Sequence, residues 1–336
     1  MKSEKLFSIL VAVSIACYGA VGYYFQPLAS FDGDLSRVSM LPESLFGWTK
    51  PQPALDAALF AQADWGEADV LVIGDSFSVP GIWQTALTRA GLRVRTETWT
   101  NLPAICEDFS AWAHDQGFRG RYVIVEIIER NTPGTLGNSI ACKNTAYRPA
   151  ALQIGPPATL PVRNMNDHSG RLSVGLQVYL NSLNYLRQRQ QDQRASLAMP
   201  GGVHVHHLDA GCQLFSHPQC EDVLFFDQDQ AGELGQSVQD DMRSLAKRIT
   251  GAQLIWAIVP DKTTTYLHPE KTFWKKIANT FQSPDILAAF TQATQNRVVD
   301  LYRGNNTHLS TTGYLLMGEA IYQSMNSSQT VYSNQP

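Results

Sequence analysis

The chain carries an uninterrupted apolar run that leads straight into a polar turn, Val70-Leu71-Val72-Ile73-Gly74-Asp75-Ser76-Phe77-Ser78. Apolar runs without alternation are typical of strands that are buried on both faces, as in a parallel sheet. Because open α/β folds place their sites at the carboxyl ends of the strands, we predict that the Ser76 hydroxyl lies at a functional site. The alternative is a turn in which Asp75 or Ser76 only caps the helix that follows.

The segments on either side repeat a strand–helix pattern. Strands are predicted at Asp69–Ile73, Val94–Trp99, Tyr122–Ile128, Gln253–Val259 and Val298–Leu301. Helices are predicted at Ile82–Ala90, Phe109–Gln116, Val238–Ile249, Asp285–Gln295 and Thr312–Met325. Since β/α/β crossovers are right-handed, the pattern predicts an α/β fold with a doubly wound, mostly parallel five-stranded sheet between layers of helices.

A second polar segment lies near the C-terminus, at Asn305-Asn306-Thr307-His308-Leu309-Ser310-Thr311-Thr312-Gly313-Tyr314. It follows the last predicted strand and precedes the closing helix, so it also opens at the carboxyl edge of the sheet. His308 can therefore meet Ser76 despite their separation along the chain. A loop histidine is usually a polar surface residue, but beside a serine at a strand end it suits a general base.

These two segments resemble the conserved blocks of the SGNH/GDSL esterases and acyltransferases. Gly74-Asp75-Ser76-Phe77 resembles the nucleophile block, and Asn305 to Tyr314 resembles the last block, Asp-x-x-His-Leu-Ser-x-x-Gly-Tyr. The resemblance covers roughly Asp69–Arg130 and Leu254–Tyr322. It implies a three-layer, flavodoxin-like fold in which Ser76 is the nucleophile and His308 its base.

Two further stretches resemble the alginate-type polysaccharide O-acetyltransferase branch of this superfamily. Glu126-Ile127-Ile128-Glu129-Arg130 matches a Glu-x-x-Glu-Arg motif, and the stretch from Pro260 to Tyr266 resembles a Pro-x-Lys-x-x-x-Tyr motif. This resemblance implies substrate-binding roles for Lys262 and Tyr266, although a lysine at the end of a sheet can equally be structural. The branch commonly carries an Asp-x-His before its serine, whereas the histidine here comes last.

The third member of a catalytic triad departs from the family pattern. The family's aspartate is matched by Asn305, whose amide oxygen can still accept a hydrogen bond from the His308 Nδ1–H group. Asp300 is the alternative third member, but it lies at the end of the last predicted strand. We expect Asn305 to fill the role, because it stands three residues before His308 on the same loop.

An oxyanion hole requires two or three hydrogen-bond donors. The Ser76 backbone N–H, near a helix N-terminus, is one candidate donor. By resemblance, the other donors fall in the neighbourhoods of Asn101 and of Arg130-Asn131. An ion pair between Arg130 and Glu126 or Glu129 is the competing interpretation.

The N-terminus contains an apolar segment, Leu6–Phe25, preceded by Lys2 and Lys5. About 20 apolar residues in a helix span a hydrocarbon core of roughly 30 Å, and the lysines are expected to stay in the cytoplasm. We therefore predict a single-pass inner-membrane anchor with the remaining chain in the periplasm. A cleaved signal peptide, with Ser14-Ile15-Ala16 before the cleavage site, is the alternative.

Cysteine usage agrees with an exported domain. Outside the apolar segment the chain has four cysteines, an even number that suits disulfides in an oxidising compartment. A short loop favours Cys212–Cys220, which leaves Cys106–Cys142 as its complement. A zinc site is the alternative to disulfides, but the chain contains no C-x-x-C pair. No cofactor is predicted. His204 and His206 share one face of a strand, but a solvated hairpin is favoured over a metal site there.

Domain boundaries follow from composition. We predict an anchor or signal peptide at 1–27, a linker or domain entry at 28–68, a catalytic domain at 69–326 and a flexible tail at 327–336. An insertion at about 131–233 should carry a helix at Leu172–Gln190 and a hairpin of Val203–Leu208 with Val223–Phe226. We interpret it as a specificity insertion and not as a second domain.

These features together predict a serine-dependent O-acyltransferase, most simply an O-acetyltransferase, that modifies an exported polysaccharide. The formal net charge of −4 argues against nucleic-acid binding. The resemblance implies an acyl donor supplied by a membrane-bound O-acyltransferase within an exopolysaccharide synthesis or secretion complex. An esterase of the same superfamily and an inactive polysaccharide-binding component are the alternatives.

Overall fold

The computed structural model describes residues 3–161, 168, 171–281 and 283–332, with side chains described up to 326. The helices are α1 Ser3–Phe25, α2 Asp34–Ser39, α3 Glu43–Phe46, α4 Thr85–Arg89, α5 Phe109–Asp115, α6 Thr132–Ala141, α7 Leu172–Gln191, α8 Gly211–Leu214, α9 Gln236–Ala246, α10 Lys262–Leu267, α11 Phe273–Phe281, α12 Ile286–Gln295 and α13 Thr311–Tyr332. The strands are β1 Val70–Gly74, β2 Val94–Thr98, β3 Tyr122–Ile128, β4 Leu197–Met199, β5 Val203–His207, β6 Asp222–Phe226 and β7 Gln253–Val259.

The chain forms two compact units. One, the sheet unit, comprises Gln52–Thr159, Gln228–Tyr302 and His308–Pro336. The other, the N-terminal unit, comprises Met1–Pro51, Leu160–Asp227 and Arg303–Thr307. The predicted insertion at 131–233 is therefore divided between the two units, since residues 131–159 and 228–233 belong to the sheet unit and residues 160–227 belong to the N-terminal unit.

The sheet unit is built on four parallel strands in the order β2-β1-β3-β7. Apolar side chains fill both faces of β1 and β3, and every residue of these two strands is buried. A continuous core surrounds the sheet and includes Trp83, Phe109, Trp256 and Phe290. The α/β class and the parallel sheet between helices agree with the sequence prediction.

The predicted fifth strand at Val298–Leu301 does not form. Arg297 and Asp300 both have φ of 57°, in the left-handed region, which interrupts an extended strand. Only Tyr302 pairs with Leu309, as a single antiparallel bridge. Among the described residues the parallel sheet therefore has four strands.

The N-terminal unit contains a three-stranded antiparallel sheet in the order β4-β5-β6. The pairing of β5 with β6 confirms the predicted hairpin. A small core forms around this sheet from α2, α3, α7 and the strands, and its buried members include Leu35, Leu41, Phe46 and Tyr185. The segment predicted as a linker, 28–68, thus contributes to both units, because its early apolar residues are buried in this core and Phe60 is buried in the core of the sheet unit.

Two disulfides bridge Cys106 with Cys142 and Cys212 with Cys220, which confirms the predicted pairing. Among the described residues, one helical segment, Ser3–Ala29, is long and apolar enough to cross a membrane. The closing helix α13 runs to Tyr332, so the predicted tail at 327–336 is partly helical, and residues 333–336 lie outside the described part of the chain.

Candidate active site

Ser76 lies in the turn directly after β1, at the carboxyl end of the parallel sheet, and its side chain is exposed. The turn is tight because Gly74 lacks a side chain. A Cβ atom at Gly74 would stand 2.1 Å from the Ser78 hydroxyl oxygen and 2.6 Å from a carboxyl oxygen of Glu126. Glycine at this position therefore lets the chain turn closely over β3 and present Ser76 outward.

His308 lies beside Ser76, although 232 residues separate them in sequence. The His308 Nε2 atom is 2.8 Å from the Ser76 hydroxyl oxygen, within hydrogen-bond distance. The His308 ring also packs on Phe77, with 4.8 Å between ring centroids. The predicted pairing of a serine nucleophile with a histidine base thus has the geometry that proton transfer requires.

Asp75 holds the turn in place. One oxygen of its carboxylate accepts a hydrogen bond from the Phe77 backbone N–H at 2.9 Å. The other accepts from the Ile128 N–H at 2.8 Å, at the end of β3. The aspartate of the Gly-Asp-Ser motif is therefore structural, since it joins the nucleophile turn to the neighbouring strand.

Glu126 forms a buried floor beneath this turn. Its Oε2 atom accepts hydrogen bonds from the Asp75 backbone N–H at 3.0 Å and from the Ser78 hydroxyl at 2.7 Å. The Trp83 indole N–H donates to the same Ser78 hydroxyl oxygen at 3.1 Å. Burial, and secondarily the negative charge of Asp75, raises the pKa of Glu126 well above the usual value of a glutamate. The first glutamate of the Glu-x-x-Glu-Arg motif thus supports the turn that carries Ser76.

The predicted oxyanion-hole donors differ in whether their N–H groups already make hydrogen bonds. The Ser76 backbone N–H donates to no acceptor among the described residues, as an oxyanion donor requires. Asn101, in contrast, is buried, and its amide group donates to Glu97 at 3.0 Å and to the Ala150 carbonyl at 3.2 Å. Both of its amide hydrogens are engaged, and its backbone N–H donates to Thr98. Asn101 therefore offers no free donor to an oxyanion, and that prediction is wrong.

Arg130 takes part in a buried ion-pair cluster. Its guanidinium contacts Asp261 at 2.5 Å and Asp229 at 3.2 Å, and neither aspartate is a partner that we predicted. Glu129 pairs instead with Lys271 at 2.7 Å. The ion-pair interpretation of Arg130 is therefore supported, but its partners are Asp229 and Asp261 instead of Glu126 or Glu129. Asn131 is exposed at the end of the short helical turn after β3.

Lys262 and Tyr266 lie on α10, directly after the end of β7. Lys262 is fully buried, and the Tyr266 hydroxyl accepts a hydrogen bond from the Tyr302 backbone N–H at 3.3 Å. Burial, together with the charge of Asp300, raises the pKa of Tyr266. A fully buried side chain does not present itself to a polymer in solution, so the structure favours a supporting role for Lys262 over substrate binding, whereas Tyr266 is only partly buried.

The two candidate third members of the triad occupy different surroundings. Asp300 is buried in the left-handed turn that replaces the fifth strand, near Tyr266. Asn305 lies in the N-terminal unit, where its amide nitrogen donates to the Ser36 hydroxyl at 2.9 Å and to Glu43 at 2.7 Å. Its side-chain oxygen is buried and has no hydrogen-bond partner among the described residues. Asn305 therefore does not orient His308 through its amide oxygen in this structure.

Asp34 is a residue that sequence reasoning missed. Its carboxylate accepts hydrogen bonds from the Thr307 backbone N–H at 2.8 Å and from the Thr307 hydroxyl. The backbone N–H groups of Leu35 and Ser36, at the start of α2, donate to the Asn305 carbonyl. The first turn of α2 thus holds the loop that ends immediately before His308. The signal available in the sequence was an Asp at the start of a short helix. Such residues are too common to indicate a role near His308.

The histidines of the hairpin make local contacts. His204 forms an ion pair with Asp227, and the His206 ring packs edge-on against Phe225. Within the described residues, no group of three or more His, Cys, Asp or Glu side chains is arranged to hold a metal ion.

No protein-family model, curated protein or solved structure matches this chain.

Proposed function

We propose that this protein is a serine-dependent acyl-transfer enzyme in which Ser76 is the nucleophile and His308 its general base. One observation carries the proposal, namely the 2.8 Å separation between the His308 Nε2 atom and the exposed Ser76 hydroxyl. A serine hydroxyl is a weak nucleophile until an adjacent base removes its proton. Exposure of Ser76 at the end of a rigid strand leaves its oxygen accessible to an acyl donor.

In the proposed reaction, the Ser76 hydroxyl oxygen attacks the carbonyl carbon of an acyl ester while His308 Nε2 takes the proton. In this proposal the Ser76 backbone N–H donates to the oxyanion of the tetrahedral intermediate. Collapse of the intermediate releases the donor alcohol, which receives the proton from His308, and leaves an acyl ester on Ser76. An acceptor hydroxyl then gives its proton to His308 and attacks this ester. His308 returns the proton to the Ser76 oxygen as it leaves, which restores the free serine.

We further propose that the acceptor is a hydroxyl of an exported polysaccharide and that the acyl group is acetyl. Support comes from the resemblance of the Glu126–Arg130 and Pro260–Tyr266 stretches to the alginate-type branch. An apolar N-terminal helix of membrane-spanning length and two disulfides suit a periplasmic domain anchored in the inner membrane. In that setting a membrane-bound O-acyltransferase of an exopolysaccharide complex is the expected source of acyl groups.

An esterase is the second candidate, since the same dyad serves hydrolysis when water replaces the acceptor sugar. The exposure of Ser76 favours this candidate, because nothing in its immediate turn shields an acyl ester from water. An inactive polysaccharide-binding component is less compatible with a serine and a histidine in hydrogen-bond contact. That alternative predicts no turnover of any acyl ester.

The first experiment compares Ser76→Ala with the wild-type chain on a chromogenic acetyl ester. Loss of a catalytic serine lowers the rate by on the order of 10⁶-fold, so turnover should fall to background. The melting temperature should change little, because the Ser76 side chain is exposed. Ser244→Ala, at an exposed position on α9, is the matched control and should keep full activity. Activity of Ser76→Ala within about tenfold of wild type would remove Ser76 from the nucleophile role.

A second experiment separates transfer from hydrolysis. The wild-type chain is incubated with the same acetyl ester and with neutral oligosaccharides, and acetylated sugar and free acetate are measured by mass spectrometry. A transferase should convert acetate release into sugar acetylation as the acceptor concentration rises. Constant acetate release with unmodified sugar would instead assign the site to an esterase.

A further inference from the structure

Helix α7 carries an exposed apolar stripe along its length. Leu180 and Leu183 are 50% and 47% exposed, although leucine is normally found in cores. The stripe residues recur three or four positions apart, which places them on one side of the helix. Its exposed members are Leu172, Tyr179, Leu180, Leu183 and Leu186, and the half-buried Leu176 lies on the same side.

A different side of α7 makes the packing contacts of the N-terminal unit. Val178 and Tyr185 are fully buried, and Tyr185 belongs to the small core of that unit. The Tyr185 hydroxyl donates to Asp222 at the end of the hairpin sheet. These buried residues attach the helix to its unit, and the stripe leucines are not members of that core.

The first turns of α7 pack against the end of α1. The Tyr179 ring stacks on Phe25, the last residue of α1, with 4.4 Å between centroids. Gly175 permits this contact, because a Cβ atom there would stand 2.0 Å from the Phe25 carbonyl oxygen. Helix α7 therefore begins at the point where the apolar N-terminal helix ends. A bilayer crossed by α1 would have its surface at this level.

The exposed charge of α7 is positive, which is compatible with an anionic surface. The helix contains no Asp or Glu between Leu172 and Gln191. Arg189 is neutralised by Asp222 at 2.7 Å, and Arg187 is exposed. Helices that lie in a membrane interface combine an apolar stripe with basic residues and interfacial tyrosines. A soluble partner protein does not explain why the stripe starts beside Phe25.

We infer that α7 lies on the surface of the bilayer that α1 crosses, with its leucine stripe inserted among the lipid headgroups and the upper acyl chains. The inference rests on α1 acting as a retained anchor, but it does not depend on the chemistry at Ser76. The anchor and α7 would then attach the N-terminal unit to the membrane at two places.

The test uses the full chain, with Cys17→Ser, in nanodiscs of phosphatidylethanolamine and phosphatidylglycerol. A nitroxide label is attached to Leu183→Cys, or to Gln177→Cys as the matched control on the polar side of the same helix. The four remaining native cysteines are held in disulfides and do not react. Accessibility of the label to oxygen, which concentrates in lipid, is compared with accessibility to a water-soluble nickel chelate.

We expect the label at position 183 to be more accessible to oxygen than to the nickel chelate, and the label at 177 to show the reverse. Leu180→Cys should repeat the result at position 183 and guards against a local effect of one substitution. High nickel accessibility at both stripe positions would overturn the inference. Protection from both reagents would also overturn it, since a second copy or another protein would then cover the stripe. Mass spectrometry of the intact chain confirms that α1 is present.

Discussion

The Asp34 carboxylate accepts hydrogen bonds from both the backbone N–H and the hydroxyl of Thr307, the residue directly before His308. Thr307 is therefore held by a side chain that lies 273 residues earlier in the sequence. The position of His308 depends on this loop, because its backbone continues from Thr307. The segment after the apolar helix thus holds the residue that precedes the proposed general base, although its composition resembles a linker.

Asp34→Ala should lower kcat for a chromogenic acetyl ester by about tenfold to a hundredfold, since small displacements of a catalytic group have effects of this size. KM should change little, because Asp34 is not expected to bind the acyl group. Steady-state kinetics measures both constants. Asp32→Ala is the matched control, because Asp32 binds Trp48 and Arg303 instead of Thr307. Equal kcat values for the two variants would contradict a positioning role for Asp34.

Asn305→Asp should destabilise the protein, in contrast to a triad in which aspartate improves the base. The Asn305 amide donates to the partly buried carboxyl of Glu43 at 2.7 Å, and an aspartate would place a second carboxyl there. Two acids in contact, one of them fully buried and without a donor, should cost about 1–3 kcal/mol of unfolding free energy. Urea unfolding at neutral pH provides the measurement.

The double variant Glu43→Gln with Asn305→Asp tests the same contact from the other side. A glutamine at position 43 restores one amide and one carboxyl, so part of the lost stability should return. If Asn305→Asp is instead as stable as wild type and faster in turnover, the residue at position 305 acts on His308 after all.

Ionisation of Glu126 should lower the free energy of unfolding as the pH rises. Burial and Asp75 raise the pKa of Glu126 above its usual value near 4.5, so the folded protein holds a proton that the unfolded chain releases. The stabilisation is complete below pH 4.5 and is lost as pH rises toward the higher folded pKa. The slope should approach ~1.4 kcal/mol per pH unit within that window.

Glu126→Gln removes this titration while it keeps a buried hydrogen-bonding side chain. The wild type and the variant should therefore differ most in the pH dependence of unfolding, measured in urea between pH 5 and 8. Parallel curves for the two proteins would show that Glu126 is already ionised in the folded state.

The two disulfides should contribute unequally to stability. Cys106 and Cys142 are separated by 36 residues, and Cys212 and Cys220 by 8. Because closing a longer loop restricts the unfolded chain more, loss of the first bridge should cost about 4 kcal/mol and loss of the second about 2.5 kcal/mol. Paired Cys→Ser variants, compared by urea unfolding without reductant, test this order. A larger loss for the Cys212–Cys220 pair would indicate that local structure outweighs loop length.

Local sequence patterns were sufficient for the buried strands of the parallel sheet. The buried strands β1, β3 and β7 are continuous apolar runs, and such runs can be recognised without knowledge of their neighbours. The pairing of the cysteines followed from their number and from the short loop between Cys212 and Cys220. Patterns failed at Val298–Leu301, where a short apolar segment is interrupted by left-handed backbone at Asp300.

The amino-acid sequence alone thus placed Ser76 in the turn after a buried strand and His308 in the loop before the closing helix, because strand burial and turn chemistry are local properties. Only the tertiary structure determined the partners of the other polar residues. Asn101 binds Glu97 and Ala150, Arg130 binds Asp229 and Asp261, and Asp34 holds Thr307. The partner of a buried polar side chain depends on which distant segments the fold brings within about 3 Å, and no local pattern encodes that distance.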